Sequence, residues 1–162
     1  MLWSFKRIFI PSPSGRKRFN VLGALDGVSH RLVTITNDSY INAESVCELL
    51  KKIDKLNLNV PVTLILDNAR YQKCKIVMEL ADSLNIELLY IPPYSPNLNL
   101  IERLWKFVKK KCLYSRYYDD FKKFKSAIWN CISHTHDRYK DELDTLLVPR
   151  FQTFEKVQVV KL

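Results

Sequence analysis

Residues 62–108 read VTLILDNARYQKCKIVMELADSLNIELLYIPPYSPNLNLIERLWKFV, and their reading decides the fold. Val62–Leu66 is a short apolar run ending in Asp67-Asn68, the pattern of a strand covered on both faces. Ile76, Val77, Leu80, Ala81 and Leu84 then recur at helical spacing, and Ile86–Ile91 repeats the buried-strand pattern. Strand, helix, strand implies a parallel pair joined by a crossover helix. Pro92-Pro93-Tyr94-Ser95-Pro96 cannot continue a sheet interior and predicts a stiff loop. The next helix is expected to start near Asn97 or Asn99 and to run to about Leu113. Ile101, Leu104, Trp105, Val108 and Cys112 share one apolar stripe of it, and Glu102, Lys106 and Lys109 share a second stripe on its flank.

Working outward, Arg18–Leu25 alternates as a strand, Asp26-Gly27 signals a hairpin turn, and Arg31–Thr36 reads as the returning strand. A helix opens near Asn42, a good N-cap, with Glu44 in its first turn and Val46, Leu49, Leu50 and Ile53 as its packed stripe. Trp3–Ile10 reads as an extended segment stopped by prolines. Beyond Asp119 a further helix places Phe121, Phe124, Ile128, Cys131 and Ile132 inward, and Leu143, Leu146 and Leu147 mark a last short one. The fold class is therefore α/β: an antiparallel hairpin joined to parallel strands in a mixed sheet, with helices on its faces.

A chain of 162 residues with 47% hydrophobic content suits a single domain over 1–162. No apolar run reaches membrane-spanning length, so no membrane partner is expected. The basic, proline-broken N-terminus does not read as a signal peptide. Cys47, Cys74, Cys112 and Cys131 are widely spaced within helical patterns, which suits reduced core thiols in the cytosol rather than disulfides or zinc. The net charge of +9 is concentrated. Residues 1–25 hold five bases and no acid, and residues 100–125 hold nine bases against three acids, whereas 26–99 hold seven bases against nine acids. Such a basic excess is either a solvated lysine face or the footprint of a polyanion.

Two carboxylates stand out, Asp67 and Glu102, with 34 residues between them. The carboxyl ends of strands in an open α/β sheet border the ligand crevice, and Asp67 has that position. If the fold brings Glu102 to it, the pair offers oxygen ligands suited to Mg²⁺, with Lys106 and Lys109 aligned to hold a phosphate backbone. The alternatives are plain: a strand-end Asp also caps a helix, and a helical Glu beside a core stripe is also a surface residue. His30, His134 and His136 form no ligand cluster. Asn68 either touches metal or substrate or caps the helix. Tyr71 and Gln72 are expected to line the site without chemistry, Trp105 to be core, and Tyr94 to pack in its loop or stack on a base. Arg16, Lys17 and Arg18 either contact phosphates or form a solvated turn.

The motif text carries a further reading. LILDNARYQKCK (residues 64–75), LLYIPPYSPNLNLIERLWKFVKKK (88–111) and GRKRFNVLGALD (15–26) closely resemble the DDE transposases of bacterial insertion sequences, in their mariner-like branch, the insertion sequence 630 group. The resemblance covers at least residues 16–113. It implies a ribonuclease-H-like endonuclease domain in which Asp67 and Glu102 are the second and third members of an Asp-Asp-Glu triad binding Mg²⁺ or Mn²⁺. It further implies nicking at element ends followed by strand transfer through a 3′-hydroxyl. DNA would be held by Asn68, Arg103, Lys106, Lys109, Lys110, Arg16, Lys17 and Arg18. The implied setting is the bacterial cytoplasm, at the nucleoid, with a homodimer or association with full-length transposase.

The chain departs from that pattern at one point. The family's first Asp lies on a strand ahead of the hairpin, and this chain has no Asp before Asp26, which reads as a turn former. The expectation is a catalytic domain lacking its first strand and the N-terminal helix-turn-helix region. The alternatives are a non-catalytic DNA-binding or assembly fragment that modulates full-length transposase, and a nonfunctional remnant.

Overall fold

The backbone of the computed structural model describes residues 17–93, 95 and 98–148, together with Phe5. Apart from Phe5, the expected segment at Trp3–Ile10 lies outside these residues, as do Arg16, Tyr94, Pro96 and Asn97.

β1 (Asn20–Leu25) and β2 (Leu32–Asn37) form an antiparallel hairpin in which Asn20 faces Asn37 and Leu25 faces Leu32. Its connection is longer than the two-residue turn that Asp26-Gly27 suggests. Asp26 N donates to Arg31 O at 2.9 Å, and the Asp26 carboxylate accepts from Val28 N at 2.8 Å, Ser29 N at 3.1 Å and Ser29 Oγ at 2.7 Å. Asp26 is thus a turn former. Burial tends to raise its pKa, but those donors outweigh it and hold the carboxyl below its usual value.

α1 (Ala43–Asp54) starts where its cap demands. Asn42 Oδ1 accepts from Ser45 N at 3.0 Å, and Ser45 Oγ answers the Asn42 backbone N–H, closing a capping box. β3 (Val62–Leu66) leads through a single 3₁₀ turn at Arg70–Gln72 into α2 (Lys75–Ser83), and β4 (Ile86–Tyr90) returns parallel to β3, with Val62 opposite Ile86 and Leu66 opposite Tyr90. Cys74 sits at the N-cap of α2 rather than within a helix. Among the described residues, β3 and β4 are covered on one face only. Ile65 and Leu89 are each 51% exposed, because α1 and α2 pack on the side of Val62, Leu64 and Leu88. Apolar character alone does not report which face is covered.

α3 (Leu100–Cys112), α4 (Phe121–Ser133) and α5 (Lys140–Leu146) follow. Asn99 caps α3 and Asp120 caps α4 through side-chain oxygens. Within α3 the buried residues are Leu104, Phe107, Val108 and Cys112, with Ile101 and Trp105 half-buried. Among the described residues the hairpin and the parallel pair remain two separate two-stranded sheets. β1 joins their surroundings. Its Leu22 and Ala24 pack on the core around α1, while Phe19, Val21 and Leu25 pack on the core around α3, α4 and α5. The second contact is close: a Cβ added at Gly23 would lie 3.1 Å from Trp105 Cζ2 and 3.3 Å from Leu32 Cδ1. No helix among the described residues is long and apolar enough to cross a membrane.

Candidate functional site

Asp67 follows the last residue of β3, so its carboxylate emerges at the carboxyl end of the parallel pair. The backbone there is shaped by the side chains themselves. Asp67 Oδ1 accepts from Ala69 N at 3.1 Å, and Asn68 Nδ2 donates to Ile91 O just past β4. The second bond ties the end of β3 to the start of the proline loop. That loop delivers Asn99, whose side chain accepts from Ile101 N at 3.3 Å and so starts α3. Glu102, in the first turn of α3, is placed by this cap, and its N–H donates to Asn99 O at 3.1 Å.

The two carboxylates converge. Asp67 and Glu102 both line a small cleft of about 170 Å³, with Asn68, Pro93, Ser95 and Asn99 around them. They also line a larger adjoining cleft of about 480 Å³ that runs between β1 and β3. Both are exposed, and among the described residues no cation pairs with either. Two solvent-facing carboxylates without a counter-charge form a hard-oxygen donor set that fits a Mg²⁺ or Mn²⁺ ion. Among the described residues no third His, Cys, Asp or Glu joins them.

Tyr71 and Gln72 line the larger cleft as the sequence predicts. Burial, and then the negative charge of Asp67, push the Tyr71 phenol above its usual range. Gln72 is 6% exposed, and among the described residues its Oε1 has no hydrogen-bond partner. An unmet buried acceptor costs about 1–3 kcal/mol, so its retention calls for a reason. Asn99 is a lining residue that sequence reasoning placed only as a possible helix start. Its one signal is a cap residue three positions before a glutamate.

The basic residues divide into two groups. Lys106, Lys109 and Lys110 are exposed along α3 beyond Glu102. Arg103 is directed elsewhere: its Nη1 donates to Val148 O at 2.8 Å and reaches Leu146 O at 3.5 Å, bracing α3 against the end of α5. That contact ties one nitrogen of the guanidinium to the chain itself. Lys17 lies over the Phe121 ring at 5.6 Å and Arg18 over Tyr40 at 5.1 Å, and neither lines the carboxylate clefts. Two of the three histidines have a structural partner. His30 is buried 3.2 Å from Asp144, and His134 Nδ1 lies 2.8 Å from Asn130 O. All four cysteines are free, and Cys131 is pushed up to about 12 by burial and by the neighbouring Cys112 thiol.

The catalytic domain of the Mos1 mariner transposase superposes with a TM-score of 0.53 at 16% identity, over 78% of this chain and 72% of that one. A chain of the simian T-cell lymphotropic virus intasome, solved with the PP2A regulatory subunit B56 gamma, gives 0.50 at 14% identity over 89% of this chain. This chain spans 59% of that one. The fold is thus the ribonuclease-H-like fold of integrase and transposase catalytic domains. Residues 6–125 match the model of the DDE superfamily endonucleases, and the chain belongs to that family. It is also 33% identical over 95 residues to the uncharacterised protein y4pE/y4sA of Sinorhizobium fredii (strain NBRC 101917 / NGR234), across 56% of this chain and 68% of that protein.

Proposed function

We propose that the chain is the catalytic portion of an insertion-sequence transposase of the insertion sequence 630 group. Asp67 and Glu102 act in it as two ligands of the divalent-metal site that nicks element ends and transfers the 3′-hydroxyl strand. The observation that carries this reading is the convergence of the two carboxylates, from separate elements, on one cleft. A bound Mg²⁺ or Mn²⁺ would supply charge stabilisation at the scissile phosphate and at the attacking oxygen. The chain's own residues position that chemistry. Asn68 locks the strand end, Asn99 orients the first turn of α3, and Lys106, Lys109 and Lys110 hold the DNA backbone through a salt-dependent contact. The setting that follows is the bacterial nucleoid, with two copies bringing two element ends together.

A second reading has its own support. With two carboxylates gathered among the described residues, the chain by itself would bind element DNA or assemble with full-length transposase without cutting. Isothermal titration with Mn²⁺ and nicking of labelled element-end DNA by the full chain separate the two. The catalytic reading expects Mn²⁺ binding that Asp67→Asn and Glu102→Gln each weaken at least tenfold. It also expects nicking by the parent chain that falls by a factor of 10² or more in either variant, whereas Mn²⁺ binding without nicking favours the second reading. Mn²⁺ affinity unchanged in both variants would sink the assignment of these residues.

A further inference from the structure

A separate groove of about 580 Å³ lies between α4 on one side and Phe19 and Thr36 of the hairpin region on the other. It shares no lining residue with either carboxylate cleft. One stripe of α4 faces outward here. Lys122, Ser126, Trp129, Asn130 and Ser133 fall within about a third of the helix circumference, and all five are exposed. Trp129 leaves 51% of its surface open, with the Asn130 side chain beside it in the groove. Cations and aromatic rings alternate around the rim. Lys125 Nζ lies 5.3 Å from the Phe19 ring and 5.1 Å from the Phe121 ring, and Lys17 Nζ lies 5.6 Å from that same Phe121 ring. Arg18 sits 5.1 Å over Tyr40, a ring that is 72% exposed. Asp38 neutralises Lys125 at 2.7 Å, but among the described residues no carboxylate pairs with Lys17, Arg18 or Lys122.

We infer that this groove takes an unpaired strand of DNA, one base stacking on Trp129 while the flanking phosphates lie against Lys17 and Lys122. The chemistry of the walls selects the occupant. A duplex hides the faces of its bases and offers mainly phosphate, whereas a half-exposed indole gains most from a base with a free face. The Asn130 amide beside it presents both a donor and an acceptor to a base edge. Uncompensated cations on the rim complement a phosphate backbone and give a neutral sugar or an apolar peptide nothing to match. A second copy of this chain, at net +9, would bring the same sign of charge to the same rim. The groove also gives a role to Lys17 and Arg18, which the carboxylate clefts do not use. DNA as the source of the strand rests on the function proposed above, since nicking is what frees an unpaired end.

The test titrates the full chain, in EDTA, against a fluorescein-labelled dodecamer of thymidylate, its abasic twin and a duplex of the same length, read by anisotropy. The parent is expected to bind thymidylate at least fivefold tighter than the abasic strand. Trp129→Ala should remove that preference and leave duplex affinity within twofold of the parent. Trp129→Phe keeps a stacking face and should retain most of the preference. Lys17→Ala and Lys122→Ala should each weaken both single strands and lower the salt slope by about 0.7, the loss of one phosphate contact.

Equal affinity for the thymidylate and abasic strands overturns the proposal. So does a preference that Trp129→Ala leaves in place, or a loss in that variant that the duplex shares. Self-association of the parent that Trp129→Ala abolishes assigns the groove to a second copy and overturns the proposal as well. Asp67→Asn separates the groove from the metal reading, since it should leave strand affinity in EDTA unchanged. A strand weakened by Asp67→Asn would lie in the carboxylate cleft, and the groove would fall. Mn²⁺ affinity that survives both Asp67→Asn and Glu102→Gln sinks the metal reading instead, while the Trp129-dependent preference stands.

Discussion

The molecule has two cores of different construction, and the candidate site lies where they meet. The first gathers α1, α2, β2 and β4 around Leu50, Val46 and Val77, and it sets the strand that ends in Asp67. The second is almost wholly helical, with α3, α4 and α5 around Leu104 and Leu143, and it sets Glu102. Each has fully buried aliphatic residues at its centre, so each resists local distortion. Between them runs β1, all six residues half-buried, giving alternate side chains to either core. The distance between the carboxylates is therefore a property of neither core. The pair is held by the wall they share, by the Asn68 bond to Ile91 O and by the Asn99 cap of α3.

The sharpest way to break this comparison is to empty one core at a time. Leu50→Ala and Leu104→Ala should each cost about 2–5 kcal/mol in denaturant unfolding, since both side chains are fully buried. Amide exchange should report the loss chiefly in α1, α2 and β4 for the first and in α3, α4 and α5 for the second. Equal loss everywhere would mean that the two cores unfold as a single unit.

Gly23→Val strikes the shared wall instead. The new side chain has to displace the Trp105 ring and the Leu32 methyl, at a cost of about 1–3 kcal/mol. Exchange protection should fall in both cores together. Confinement of the loss to α3 would show that β1 does not couple them.

Asn42→Ala removes the capping-box oxygen and should cost about 1 kcal/mol, felt in the first core only. Thermal unfolding and helix-specific exchange measure it.

The smallest effect is pH-dependent. The Asp26 carboxyl is depressed in the folded chain, so its contribution is present above the ordinary carboxylate range and is lost as pH falls through the lowered folded value. Asp26→Asn should be less stable than the parent by about 0.5 kcal/mol at pH 7, allowing for solvent screening, and the gap should close below about pH 4. A gap that widens on acidification would contradict the hydrogen-bond origin of the shift.

Much of this was legible in the chain. Asn42 as a cap, Val62–Leu66 as a strand, the parallel partner Ile86–Tyr90 and the helix after Asn99 all follow from local spacing and short-range hydrogen-bond chemistry. So does the placing of Asp67 at a strand end. What spacing does not report is covering. Ile65 and Leu89 look as buried as Leu64 and Leu88, and which face is covered depends on a helix many residues away. Arg103 shows the same limit. It sits in a basic helix like its neighbours, and only the position of α5 turns it into a brace.

By itself the sequence determined the order and type of the elements, the caps that start the helices, the family, and the two carboxylates worth watching. Those are local properties, written in the period of apolar residues and in side chains that bond their own backbone. The tertiary structure decided that Asp67 and Glu102 share a cleft, that Arg103 braces a helix, and that β1, β3 and Gln72 line one larger cleft. Those outcomes depend on how two cores pack against one strand, which no local pattern encodes.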